Sequence, residues 1–273
     1  MLSICGIVSF YDSETDPEYA TKMRIQNAIL LSVFVALSAL SPAAHAVPNL
    51  VIFIADDMGW GDVGYHGSEI RTPSIDRLAA EGVALERFYA HPACSPTRGA
   101  LMTGRSPLQT GVLIPFEPWF SSGLPLKEKL LPEYLKDVGY QTFAVGKWHL
   151  GPNRLAYHPT SRGFDHFYGH LGGFINYVQH TYWRGVDWQR NGKTVVEDGY
   201  STNLIADEAI SLIKSRDKDE PLFLYVAFNA PHSPLQAPLS AVAEYADISD
   251  LNRRTYAAMV SEMDRGIGRV LSA

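Results

Sequence analysis

The chain has 273 residues, 46% of them hydrophobic and 19% charged, the composition of a globular chain large enough to bury one substantial core. Its formal net charge of -6 comes with no basic stripe. That argues against a nucleic-acid partner, which needs clustered Lys and Arg, and leaves room for a small anionic ligand held by local positive charge.

Residues 1–22 open with Asp12, Glu14, Asp16 and Glu18 and read as a non-native extension ahead of a second start at Met23. From Met23 on, Lys22 or Arg24 supplies positive charge, residues 28–40 are apolar, and Ala44-His45-Ala46 is a small-x-small cleavage site. Residues 23–46 therefore read as a signal peptide, with the mature chain starting at Val47. The apolar stretch is shorter than the ~20 residues that span a bilayer, so no stable membrane anchor is expected after cleavage. The product is expected to be exported, periplasmic or secreted. The lack of any Asn-x-Ser/Thr acceptor points to a bacterial one. Cys5 lies upstream of Met23, so the mature chain keeps Cys94 alone and forms no internal disulfide.

Three short apolar runs, residues 50–55, 142–145 and 222–228, read as strands buried on both faces. Helical patterns separate them: residues 74–81, stopped by Gly82; 132–138, stopped by Gly139; 203–214; and 252 to the C-terminus. The last carries Tyr256, Met259, Met263, Ile267 and Val270 on one stripe. The alternation predicts an α/β fold, a mostly parallel sheet covered by helices on both faces. Residues 151–200 are irregular and rich in Tyr, Trp, His and Gly. They read as loops and short strands, whose aromatic faces suit a sugar ring as well as plain packing. The final helix should cross over to a further strand, so the domain reads as incomplete at its C-terminus.

Each strand ends in a polar cluster: Asp56-Asp57, Lys147-Trp148-His149, and Asn229-Ala230-Pro231-His232. In open α/β sheets ligands bind beyond the carboxyl ends of the strands. Adjacent carboxylates before Met58-Gly59-Trp60-Gly61-Asp62 suit a hard cation or a simple turn. Cys94 precedes Ser95 and Pro96, and residues 97–103 read as a helix with Pro96 in its first turn. The cysteine then sits where backbone N–H groups favour negative charge, with Arg98 one turn on. Lys147 and His149, two apart at a strand end, should share one face by the two-residue period, pairing a cation with a proton-transfer group. His232 lies between Pro231 and Pro234, in a stiff turn.

Cys94-Ser95-Pro96-Thr97-Arg98, running on through Leu101, Thr103, Gly104 and Arg105, resembles the signature of type I sulfatases, in which that cysteine is oxidised to formylglycine. The resemblance extends through Gly146-Lys147-Trp148-His149-Leu150-Gly151, Arg162-Gly163-Phe164-Asp165 and Pro221-Leu222-Phe223-Leu224-Tyr225, and looks most like the arylsulfatase B group. It implies an alkaline-phosphatase-like sheet and hydrolysis of sulfate esters of a sulfated carbohydrate or aryl group. It implies a maturation enzyme that makes the formylglycine, and one calcium ion held by Asp56, Asp57 and residue 94. It further implies that Arg98 holds the formylglycine, that Lys147 and His149 bind the sulfate and the activated hydroxyl, and that His232 assists at the leaving oxygen. By the same resemblance residues 47–273 are the N-terminal part of the catalytic domain. The remaining calcium ligands, an Asp-Asn pair, and a further lysine would follow Ala273, so the chain as it stands is expected to have little or no activity. Two alternatives stay open: a phosphate or phosphonate ester hydrolase of the same superfamily, and an inactive remnant that binds glycan.

Overall fold

A computed structural model describes residues 21–22, 47–151, 154–183 and 185–273. The signal peptide expected at 23–46, and most of the extension before it, lie outside the described residues. Residues Pro48–Ala273 form one compact unit. Among the described residues no helix is long and apolar enough to cross a membrane.

Eight strands are described: β1 Leu50–Asp56, β2 Gln141–Lys147, β3 His166–His170, β4 Thr181–Tyr182, β5 Gly185–Val186, β6 Gln189–Arg190, β7 Lys193–Thr194 and β8 Leu222–Pro231. Six form one sheet in the order β1-β8-β2-β3-β6-β7, and β4 and β5 make a separate hairpin. β1, β8, β2 and β3 run parallel, while β6 and β7 add antiparallel at the far edge. The helices used below are α1 Pro73–Glu81, α2 Cys94–Thr103, α3 Leu131–Asp137, α4 Ser201–Ser215 and α5 Leu251–Leu271.

β8 is apolar along most of its length because it is central, and all ten of its residues are buried. One face of the sheet packs Val145, Leu224, Val226 and Phe228 against Ile205 and Ala209 of α4 and Met259, Met263, Ile267 and Val270 of α5. The other face packs Ala144, Phe223 and Tyr225 with Met102 of α2 and Leu135 of α3. The expected sheet with helices on both faces is therefore present, and so is the stripe on the last helix. Two strand expectations needed correction. β1 is an edge strand with only part of its surface covered, Val51 being 39% exposed, because nothing among the described residues pairs with its outer side. β3, inside the segment expected to be irregular, is a full member of the main sheet. Its sequence His166-Phe167-Tyr168-Gly169-His170 lacks the aliphatic run that marks a buried strand, and it is buried through aromatic packing instead.

Two glycines let the strands approach at the rim. Gly146 has φ 101°, and a Cβ there would lie 2.0 Å from the carbonyl oxygen of Ala227 on β8. Gly169 has φ 140°, and its Cβ would lie 2.2 Å from the Gly146 carbonyl. Gly146→Ala is expected to cost about 2–3 kcal/mol through overpacking and backbone strain, read as a lowered denaturation midpoint with unchanged slope. A loss under about 1 kcal/mol would show that the strands can part without penalty.

Candidate active site

The four parallel strands end on one rim, at Asp56, Lys147, His170 and Pro231. A register irregularity between Ile54 and Asp56 sets Asp56 opposite Pro231. His232 N then donates to the Asp56 carbonyl at 2.6 Å, which ties the histidine to the carboxylate pair through the backbone.

Asp56 is the electrostatic centre. Its Oδ2 accepts from Arg98 Nη2 at 2.5 Å and lies 2.7 Å from Lys147 Nζ. That ion pair engages only one side of the ammonium, so Nζ has further N–H groups for another acceptor. Burial disfavours the Asp56 charge, yet the Arg98 and Lys147 charges outweigh it and hold the carboxyl well below the usual carboxylate range. Arg98 is itself buried and directs Nη1 to the Lys147 carbonyl at 2.7 Å and the Tyr225 hydroxyl at 3.1 Å. Burial is also the main reason the Lys147 pKa is lowered, against the opposing pull of Asp56.

Cys94 opens α2, at the helix end where backbone N–H groups favour an anion. Its Sγ lies 3.0 Å from His149 Nδ1, and His149 Nε2 lies 2.9 Å from the Phe116 carbonyl. A carbonyl only accepts, so Nε2 carries the proton and Nδ1 is left to accept from position 94. Burial first, then the Lys147 and Arg98 charges, push the His149 pKa down to about 3, so the ring is neutral at physiological pH. Ser95 Oγ donates to the His149 carbonyl at 2.8 Å and accepts from Phe116 N at 3.1 Å, locking both ends of this arrangement.

Every site residue expected from sequence reaches this rim, but not by the geometry expected. Lys147 and His149 do not share a strand face: β2 ends at Lys147, and His149 has φ 55°. The left-handed turn sends Lys147 to Asp56 and His149 to Cys94. Arg98 braces Asp56 directly, and the Cys94 sulfur is near enough to favour its charge. Sequence reasoning passed over Ser95, the Phe116 carbonyl, Tyr225 and His170. Ser95 stood beside Cys94 in the motif and Tyr225 broke an apolar strand, whereas a main-chain carbonyl from a distant loop leaves no sequence signal.

The rim borders a cleft of about 290 Å³ lined by Asp56, Asp57, His91, Cys94 and Arg98 among others. Asp56 Oδ1 is buried without a hydrogen-bond partner, and Asp57 beside it is raised by burial and by the Asp56 charge. A lone carboxylate oxygen next to a second carboxyl is the environment a cation relieves. The residues present therefore fit part of a cation shell.

His170 is fully buried, stacks on Trp188 at 6.3 Å, and has no hydrogen-bond partner on either nitrogen. Burial and then Lys147 and Arg98 hold its pKa well below the ordinary value. Both His149 and His170 stay neutral in the folded protein below pH 6.5, where the unfolded chain binds protons, so stability is expected to fall as pH drops from about 6.5 towards 3. His170→Phe should flatten that slope by up to about 1.4 kcal/mol per pH unit, seen by comparing denaturation midpoints between pH 7 and 4. An unchanged slope would show that His170 titrates alike in both states.

An α/β sheet whose rim gathers a cysteine, a neutral imidazole, buried cations and paired carboxylates has the charge pattern to hold an anionic group at its strand ends. A family model described as Sulfatase matches residues 48–273, and the chain belongs to the sulfatase family. It is 44% identical over 243 residues to arylsulfatase J of Mus musculus, covering 85% of this chain and 40% of that protein. It is 37% identical over 278 residues to N-acetylgalactosamine-6-sulfatase of Rattus norvegicus, covering 93% of this chain and 51% of that protein. The crystal structure of Ps i-CgsB superposes with a TM-score of 0.78 at 38% identity, over 82% of this chain and 54% of that one. The same protein in complex with k-i-k-neocarrahexaose gives a TM-score of 0.75 at 36% identity, with the same coverage of 82% and 54%. The chain thus spans about half the length of the relatives it matches, or less.

Proposed function

We propose that residues 47–273 are the N-terminal part of the catalytic domain of an exported sulfate-ester hydrolase, delivered by residues 23–46 and acting on a sulfated carbohydrate. Cys94 carries this reading. It starts a helix at the rim, its Sγ is 3.0 Å from a His149 nitrogen free to accept a proton, and the surrounding motif is that of cysteines matured to formylglycine. The sulfatase names of the relatives support the ester class and make a phosphate ester substrate the less favoured alternative. The bound neocarrahexaose of Ps i-CgsB supports a carbohydrate.

Each residue has a task in this reading. Matured by a formylglycine-generating enzyme, position 94 supplies a hydroxyl nucleophile. His149 Nδ1 takes that proton, because its other nitrogen is held as N–H by Phe116. Lys147, with N–H groups beyond those facing Asp56, meets the sulfuryl oxygens, and Arg98 holds Asp56 in place. His232 faces the leaving oxygen. One calcium ion, held by Asp56, Asp57 and residue 94, would offset charge on the sulfuryl group when bound.

Turnover of 4-nitrophenyl sulfate and 4-nitrophenyl phosphate tests the reading. The sulfate is expected to be preferred by about tenfold or more, a difference of about 1.4 kcal/mol in barrier. Preference for the phosphate would move the assignment to the phosphoryl branch. Glycan binding that does not depend on Cys94 or its maturation, without turnover of either, would favour a remnant.

A further inference from the structure

A row of aromatic rings runs outwards from His232. Phe174 stacks on the His232 ring at 5.8 Å with an interplanar angle of 8°, and Tyr182 meets Phe174 in a T-shaped contact at 5.0 Å. Trp183 follows Tyr182 in the chain, and its ring lies 5.3 Å from that of Trp119 at an angle of 57°. Exposure grows along the row, from 44% at Phe174 to 62% at Trp119 and 65% at Trp183.

The row is anchored in the site on both sides. A Cβ on Gly173 would lie 2.8 Å from His149 Cε1, and one on Gly172 would lie 2.3 Å from Tyr182 Cδ1, so this glycine pair packs between the His149 and Tyr182 rings. Burial first raises the Tyr182 pKa, and the Glu117, Asp187 and Cys94 charges add to it, which puts the phenol in electrostatic range of position 94. On the other side, the Phe116 carbonyl that holds the His149 proton leads into a tight turn in which Phe120 N donates to the Glu117 carbonyl at 2.9 Å. Trp119 sits in that turn.

Single exposed apolar side chains are ordinary, but two adjoining indoles in water mark a surface that binds something. Trp183 also keeps a left-handed backbone, φ 53°, which costs a non-glycine residue free energy. Apolar ring faces with polar edges, and the half-buried Glu117 carboxylate two residues before Trp119, match a pyranose, which has an apolar C–H face and a rim of hydroxyls. We infer that Trp119 and Trp183 form a sugar-stacking subsite, continued by Tyr182 and Phe174 towards His232, which holds the unit joined next to the sulfated one. The inference deepens the sulfate-ester reading and takes from it the place of the reacting group. The substrate is then a sulfated oligosaccharide, whose second unit supplies binding energy away from the ester.

The experiment titrates the full chain, Trp119→Ala, Trp183→Ala and Trp119→Phe by calorimetry with k-i-k-neocarrahexaose and with a chondroitin sulfate hexasaccharide, each also in desulfated form. The wild type is expected to bind at least one of the two sulfated sugars. Either alanine variant should weaken that binding by about tenfold or more, while Trp119→Phe, which keeps an aromatic face, should stay within about threefold of the wild type. Because both indoles are exposed, the alanine variants should melt with the wild type. No binding of either sulfated hexasaccharide by the wild type, alanine variants that each lose less than about threefold, or a Trp119→Phe as weak as Trp119→Ala would overturn the subsite. Desulfation tests the other reading. If it leaves the wild-type affinity unchanged while the tryptophan losses persist, the subsite stands and the sulfate-ester reading is weakened. If it lowers affinity while the alanine variants bind like the wild type, the subsite falls and the sulfate-ester reading stands.

Discussion

Cys94→Ala is expected to abolish labelling of the protein by aldehyde-reactive hydrazides and to remove whatever sulfate-ester turnover the chain retains. The side chain lost makes one hydrogen bond, with His149 Nδ1 at 3.0 Å, at a half-buried position. Its removal should therefore change folding stability by no more than about 1 kcal/mol. A variant that melts with the wild type yet neither labels nor turns over separates chemistry from folding. The labelling readout holds even where turnover is weak, because it reports maturation at position 94 and not completion of the site. Labelling that survives in Cys94→Ala, or turnover within tenfold of the wild type, a barrier change under about 1.4 kcal/mol, would remove Cys94 from the reaction.

Arg98→Met should be the most destabilising single change at the rim, at about 3–5 kcal/mol. The guanidinium is buried and satisfies three acceptors on three different strands: Asp56 on β1, the Lys147 carbonyl on β2 and Tyr225 on β8. Without it the Asp56 carboxylate stays buried, with Lys147 as its one remaining ion-pair partner. Arg98→Lys keeps a charge but cannot reproduce the fork, and should recover only part of the loss. In a double-mutant cycle, Asp56→Asn in the Arg98→Met background should cost less than it does alone, because the unpaired charge is what the single change leaves behind. Urea denaturation of the four proteins reads this directly. Additive losses would show that Arg98 and Asp56 act independently.

The proton inventory is consistent with a site that works without being charged everywhere. Two cations and Asp56 are fixed by mutual attraction, while His149 and His170 are kept neutral by burial beside those cations. His149 can therefore accept a proton at neutral pH, which a protonated ring could not do. The cost of this arrangement is acid sensitivity, since the unfolded chain gains the protons that the folded one refuses.

Much of this protein is written locally in its sequence. The aliphatic runs of β1, β2 and β8, the helices stopped by Gly82 and Gly139, the stripe on α5 and the motif at Cys94 all depend on neighbours a few residues away, so period and spacing reveal them. The carboxyl-end clusters at Asp56, Lys147 and His232 were legible for the same reason. What the sequence could not determine is which atom faces which. β3 was hidden because aromatic contacts from other segments bury it, not its own hydrophobic pattern. The exposure of β1 follows from its place at the sheet edge, which only the strand order shows. Two left-handed residues, Gly146 and His149, turn the chain so that Lys147 and His149 serve different partners. Arg98 is tied to Asp56, and the proton on His149 is placed by a carbonyl from a loop far away in the chain. Each of these is a contact between residues distant in sequence, set by packing and by the need of every buried polar group for a partner, and so decided only when the whole chain is folded.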